Sequence, residues 1–438
     1  MQWLIISVHL VFLFSNFALE SGEIQHTNFF PAANHIIYVL YIQVMLNRRI
    51  LRVKAFQNLY AYEQCKASNF NLAKDFIRDA FQPDLNSMEV QDKFQLRKDA
   101  ETTIELFSKN LNNKSLIAAG NYDTKVKSIA IKAINFYYEN NQKDLEFLKK
   151  NMVSAAESLP QLYLNVIHIL IGFSNHVRGE YERKRKLNQE SISAFSGELN
   201  LANNKIIHYL SSAPAFTTES TRQRAGIDEL ELEIQEWYRG YVKPWDKYQA
   251  YLQIGEPSEE DDLNILLDLI KKVIFKNEAI LSHFAEKDLN WTENKAVVRS
   301  LAVKALKNIS EEPDNENYVL PEIAINWEED KEFFQNIFNL TIENDDSNRK
   351  LIAEKTKNWD IERVASTDKI ILSMAITEMS FFPSIPVKVS INEYIDISKT
   401  YSTPKSKQFV NGLLDVLAKE LTDQGKIRKS GRGLLDNK

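Results

Sequence analysis

Twelve glycines and eleven prolines are spread over 438 residues. Together they make up about 5 % of the chain, roughly half the share found in an average protein. Tight turns draw heavily on these two residues, so the chain is not expected to build a many-stranded sandwich or propeller. An all-α fold is expected. Apolar residues at 44 % and charged residues at 26 % give an ordinary globular composition, enough for two or three folding units with sizeable cores. The single cysteine, Cys65, excludes an intrachain disulfide and a CxxC metal site. The seven histidines form no HxxxH pair, which argues against a zinc hydrolase.

The net charge of −6 hides a polarity along the chain. Residues 227–265 hold eleven acids and three bases, whereas 45–66 carry Arg48, Arg49, Arg52, Lys54 and Lys66 against Glu63 alone. Residues 399–438 carry nine bases and four acids. Two basic stretches on an otherwise acidic chain point toward a nucleic-acid partner. The acidic middle should repel phosphates and is expected to face protein instead.

Two apolar runs, at 3–14 and 36–46, are each shorter than the roughly 20 residues of a membrane span. The first has the length of a secretory h-region but no Lys or Arg before it. Residues 1–44 read as a signal or anchor, as an added interaction segment, or as an extension upstream of a start at Met45.

From residue 45 onward the patterning is helical. Ile50, Val53, Phe56 and Tyr60 form a stripe, with the arginines on another face. Residues 158–186 read as one long helix with Pro160 in its first turn, and 187–226 as a loose connection holding one helix. Three further helices are expected up to about residue 307, then a linker at 311–317 (EEPDNEN). No fixed-period repeat is evident. Residues 327–342 form a helix with one aromatic face, and 368–381 a central buried helix. Ser390 and Glu393 match a capping box, Thr403–Pro404 opens the last helix, and Gly425 caps its end. Gly431, Arg432 and Gly433 fall in an expected flexible tail.

No phosphate-binding glycine loop, nucleophile elbow or zinc-binding helix motif is present, and His168 reads as a core histidine. No enzyme and no cofactor are expected. Three blocks carry a resemblance: NRRILRVKAFQNLYAYEQ (47–64), NWDIERVASTDKIILSMAITEM (358–379) and IPVKVSINEYIDISKTYSTPKSKQFVNGLLD (385–415). Together they resemble the transcription antitermination factor NusB family, in its long form as in the Bacteroidota. The pattern starts at Met45 and is strongest over 328–438.

The resemblance implies an all-α, NusB-like helical bundle with a large helical insertion between the first helix and the C-terminal helices. The expected parts are an extension (1–44), a basic first helix (45–66), a helical insertion with the acidic middle (67–317), and a C-terminal NusB-like domain with a basic tail (318–438). It also implies a cytoplasmic, non-catalytic factor without membrane contact. Such a factor binds boxA-type single-stranded RNA together with ribosomal protein NusE, within the RNA polymerase antitermination complex that reads through rRNA operons. Matched to the family, the RNA-facing residues would be Arg48, Arg49, Arg52, Tyr60, Asp368, Lys407 and Phe409, while Lys405 stands where some relatives carry an acid. Two alternatives differ in class: a NusB-like RNA-binding module associated with rRNA modification, and an exported or membrane-tethered helical protein.

Overall fold

The structure, a computed structural model, describes residues 46–84, 86, 90–186, 197–227, 229–311, 317–356 and 365–436. The expectations for residues 1–44 and for most of the 311–317 linker lie outside these residues.

Asn47 starts the first helix: its side-chain oxygen accepts the Ile50 N–H at 3.1 Å, satisfying a donor that the helix itself cannot pair. Helix α1 (Arg48–Ala80) is 33 residues long and runs well past the expected end at Lys66. The cause is plain in the chain, which has no glycine or proline from Arg48 until Pro83. Helices α2 (Lys93–Lys109), α3 (Lys114–Ala119) and α4 (Thr124–Glu157) follow. α4 returns antiparallel along α1: Asn69 donates to Asn141 at 2.9 Å, and Phe76 stacks on Phe136 at 5.4 Å. Ile77, Phe107, Ile117 and Ile134 are fully buried in a core separate from the main one. The second half of α1 thus carries a helical arm with its own interior.

The middle of the chain forms α5 (Leu159–Lys186), α6 (Lys205–Ser212), α7 (Pro214–Gln223), α8 (Glu231–Trp237), α9 (Asp246–Leu252), α10 (Glu259–Asp268), α11 (Glu278–Lys287) and α12 (Trp291–Glu311). There are more and shorter helices here than the periodicity suggested. α8 and α10 each run into a π-helical turn, Tyr238–Val242 and Leu269–Ile274. A capping box stands at α10: Ser258 Oγ accepts the Asp261 N–H at 3.1 Å while the Asp261 carboxylate accepts the Ser258 N–H at 3.0 Å.

The last third comprises α13 (Trp327–Glu343), α14 (Asp345–Lys355), α15 (Ser366–Phe381), α16 (Val387–Tyr401) and α17 (Ser406–Asp423). α15 is the buried centre, with Ile371, Leu372, Met374 and Met379 fully covered, and α1, α13, α14, α16 and α17 pack around it. Phe333, Phe334, Ile337 and Phe338 bury the aromatic face of α13.

The capping box expected at Ser390 is not there. Pro386, its φ already near −60°, precedes a helix that begins at Val387, and Ser390 is one turn inside it, donating to Glu378 Oε1 at 2.7 Å. Thr403 and Pro404 lie in a turn, with α17 starting at Ser406. Gly425 does end that helix, at φ +67°. Its N–H donates to Thr422 O and the Lys426 N–H to Leu421 O, both at 2.9 Å, the Schellman arrangement that favours glycine. The tail is docked, not loose. The Ser430 N–H donates to Pro383 O at 3.0 Å, and a Cβ on Gly433 would lie 2.0 Å from that same oxygen.

Candidate nucleic-acid interface

The three arginines at the start of α1 do not form one phosphate-facing row. Arg52 points inward and is 4 % exposed; its Nε and Nη2 donate to Glu378 Oε2 and Oε1 at 2.7 and 2.8 Å. Glu378, itself 0 % exposed, also accepts from Ser390 Oγ and from the Tyr394 hydroxyl at 3.0 Å. Burial alone would lower the Arg52 pKa, but the charge of Glu378 and its hydrogen bonds outweigh that and raise it. Burial likewise pushes the Tyr394 phenol well above its ordinary value, with Glu378 adding to the effect. The expectation that Arg52 meets RNA is corrected on this point: its guanidinium ties α1 to α15 and α16. The reason is physical, because a carboxylate in an otherwise apolar helix has to find a buried cation.

Arg48 takes an intermediate role. It pairs with Glu329 and, at 3.0 Å, with Asp330, the acids of the first turn of α13. Its guanidinium also lies 5.1 Å from the Phe333 ring centre, and Arg52 lies 5.2 Å from the same ring. Arg49 diverges from both. It reaches Asp396 on α16 at 2.6 Å with half of its side chain exposed. Hydrogen bonding from Lys399 and then from Arg49 keeps the Asp396 carboxyl below its usual range, although partial burial opposes it.

Asp368 is also buried, in the first turn of α15, where it accepts from Ser406 Oγ at 2.7 Å. Ser406 starts α17 and belongs to a hydroxyl chain running through Ser402 to Thr367, each step 3.0 Å or less. Asp368 therefore positions the start of α17 and does not face solvent. Lys405 and Lys407 at that start are exposed, and Phe409 is half-buried against the main core. Tyr60 is 37 % exposed, with its ring 6.5 Å from Phe56, which in turn lies 5.5 Å from Tyr401 at the end of α16.

Around the corner between α16 and α17 and the adjacent start of α1, Arg49, Lys399, Lys405 and Lys407 are exposed, the first two bonded to Asp396. Sequence reasoning missed Lys399 and Asp396, which only the crossing of α1 over α16 brings beside Arg49. It also missed Glu378, although a lone acid in the apolar run ILSMAITEM was a visible signal. His168 shares a hydrogen bond with Ser220 at 3.0 Å. Among the described residues no His, Cys, Asp and Glu group could hold a metal ion, and no helix is long and apolar enough to cross a membrane.

Comparison with known proteins adds a family. The NusB family pattern matches residues 296–419. The transcription antitermination protein NusB of Salinibacter ruber is 41 % identical over 24 % of this chain, and that of Chloroherpeton thalassium 42 % over 27 %. The chain spans 66 % and 56 % of the lengths of these two relatives. The NusB of Geotalea daltonii is 33 % identical, over 29 % of this chain and 94 % of its own length. A solved structure of T. maritima NusB is 29 % identical, covering 36 % of this chain and 93 % of that one, at a TM-score of 0.21. On the strength of the likeness to nearly the whole of the Geotalea protein, the chain belongs to the NusB family.

Proposed function

We propose that the protein is an RNA-binding transcription antitermination factor that holds boxA-type single-stranded RNA at the α16–α17 corner and acts with NusE in the cytoplasm. Residues 45–66 and 318–438 would be the two parts of the NusB-like unit, 67–317 an inserted region, and 1–44 an extension to it. The observation that carries the reading is the division of the charged residues. Arg52 and Asp368 are consumed inside the fold, whereas Arg49, Lys399, Lys405 and Lys407 keep exposed charge around one corner beside the ring of Phe409. Single-stranded RNA is gripped by such cations on its phosphates and by flat side chains on its bases. Arginine suits the first task through its two-pronged contact with phosphate oxygens.

The test is fluorescence anisotropy with a boxA-type oligonucleotide across a salt series. Arg49→Gln combined with Lys407→Gln should flatten the slope of log affinity against log salt by about 1.4, at about 0.7 per lost contact. Phe409→Ala should lower affinity by about 1–3 kcal/mol with little change in slope, the signature of a lost stacked base. If both variants bind as the native protein does, the corner is a solvated face and this reading fails. A pull-down of the native chain that recovers no NusE removes the partner.

A further inference from the structure

The two π-helical turns of the middle region are structural counterparts. The Lys243 N–H donates to Tyr238 O at 2.8 Å as the Phe275 N–H donates to Ile270 O at 3.0 Å. The Gln249 N–H donates to Trp245 O at 2.9 Å as the Leu281 N–H donates to Asn277 O at 3.0 Å. All four correspondences share one offset of 32 positions. Burial follows the same offset: Ile234 and Leu266, Trp237 and Leu269, and Tyr248 and Ile280 are all interior. The helix–π turn–helix unit therefore occurs twice. π turns interrupt regular helix bonding and recur at functional sites, and here the two pack against each other.

Between them lies an open cleft of about 300 Å³ whose two walls are built from equivalent positions. Equivalent backbone, however, carries different chemistry. The first wall presents Gly240, Tyr241 and Trp245; the second presents Lys272 and Lys276. Tyr241 is 37 % exposed, and nothing lies within 4 Å of where a Gly240 side chain would begin, so the aromatic wall is open. Lys272 and Lys276 are both exposed, and Lys243 stands exposed beside the first turn. Behind them is Lys271, whose pKa is lowered by burial and then by the nearby charges of Lys307, Arg299 and Lys272. Acids flank the cleft at Asp246 and its counterpart Glu278, both exposed, and at Asp268, which is bonded to Lys247 and 3.7 Å from Lys272. Cations thus gather beside the acidic stretch 227–265, with Lys243 inside it and Lys271, Lys272 and Lys276 beyond it.

We infer that this cleft is a second contact site for single-stranded RNA, taking a base against Tyr241 and Trp245 and the adjoining phosphates on Lys272 and Lys276. The inference rests on the RNA-binding reading above and extends it: the middle region takes RNA that continues beyond the α16–α17 corner. An aromatic wall opposite a lysine wall fits a nucleotide's two halves, a flat ring and an anion.

The experiment compares a short and a long oligouridine on the full chain. Lys272→Gln with Lys276→Gln should leave the short RNA unaffected and flatten the salt slope for the long one by about 1.4. The native protein's advantage for long RNA would then shrink about sevenfold between 50 and 200 mM salt. Tyr241→Ala should lower long-RNA affinity about fivefold or more at an unchanged slope. Both sets of residues are exposed, and circular dichroism verifies that the variants fold. Unchanged long-RNA affinity in both, with Arg49→Gln/Lys407→Gln still weakening the short RNA, overturns this site alone. Binding of a polyglutamate peptide that these variants abolish, with RNA unaffected, assigns the cleft to an acidic protein and also overturns it. If the native chain binds neither RNA, the RNA-binding reading fails and the cleft assignment with it.

Discussion

Replacing Arg52 by methionine should destabilise the protein by about 3 kcal/mol, at the lower end of the 3–5 kcal/mol cost of breaking a buried ion pair. The value follows from what Glu378 keeps. The carboxylate is 0 % exposed and loses two charged donors at 2.7 and 2.8 Å, but retains the hydroxyls of Ser390 and Tyr394. Methionine fills most of the volume against Phe333, so the cost is chiefly an uncompensated charge and not a cavity. Adding Glu378→Gln removes that charge while leaving an oxygen for both hydroxyls, and about 2 kcal/mol should return. Urea unfolding of the native chain, both single variants and the double variant, followed by helical circular dichroism, gives the coupling directly. A cost below about 1 kcal/mol for Arg52→Met would show that the pair carries little. A loss of RNA affinity at full stability would return Arg52 to the ligand and refute the assignment outright.

Two further outcomes follow from buried or strained positions. Lys54 is 1 % exposed, its Nζ has no hydrogen-bond partner among the described residues, and burial lowers its pKa below the ordinary 10.5 against the opposing pull of Asp288 and Glu293. Between that lowered value and 10.5 the unfolded chain holds more protons than the folded one, so stability should rise with pH in this window. Lys54→Met should abolish that rise and add about 1–3 kcal/mol at neutral pH, read as Tm against pH. Gly425→Ala places a Cβ where nothing lies within 4 Å, so only the +67° φ opposes it, and thermal melts should show a loss of about 1 kcal/mol.

The fold class was legible because scarcity of glycine and proline is a global property that no tertiary contact can override. The central helix α15 and the aromatic face of α13 were legible for a related reason: their apolar periodicity is strong over a full helix length. Boundaries were less so. The SINE tetrapeptide meets the rule for a capping box, but Pro386 moves the start of the helix and Ser390 answers to Glu378 instead. The arginine row failed because spacing on α1 says which residues share a helix face and nothing about what crosses that face. Arg48 meets α13, Arg49 meets α16, and Arg52 turns inward to Glu378 on α15. The paired π turns were invisible because Tyr238 and Ile270, or Trp245 and Asn277, share backbone roles without sharing chemistry.

A net-acidic chain can hold RNA only if its charges are sorted in space, since phosphates respond to charge within about 8 Å at physiological salt. Two devices do the sorting here. Acids near the basic start of α1 are paired off, Glu378 by Arg52 in the interior and Glu329 and Asp330 by Arg48, so fewer free carboxylates confront a ligand at the α16–α17 corner. In the middle region the acids concentrate at the start of α10, at Glu259, Glu260, Asp261 and Asp262, where the helix N-terminus favours them and a capping box holds the turn. Lys271 and Lys272 fall in the π turn that follows that helix, beyond Asp268 at its last position, where negative carbonyl ends favour cations. Helix polarity thus favours the acids at the start of α10 and the lysines beyond its end. Charge summed over a stretch of sequence cannot register this, because the sign changes between the start of one helix and the π turn that follows it.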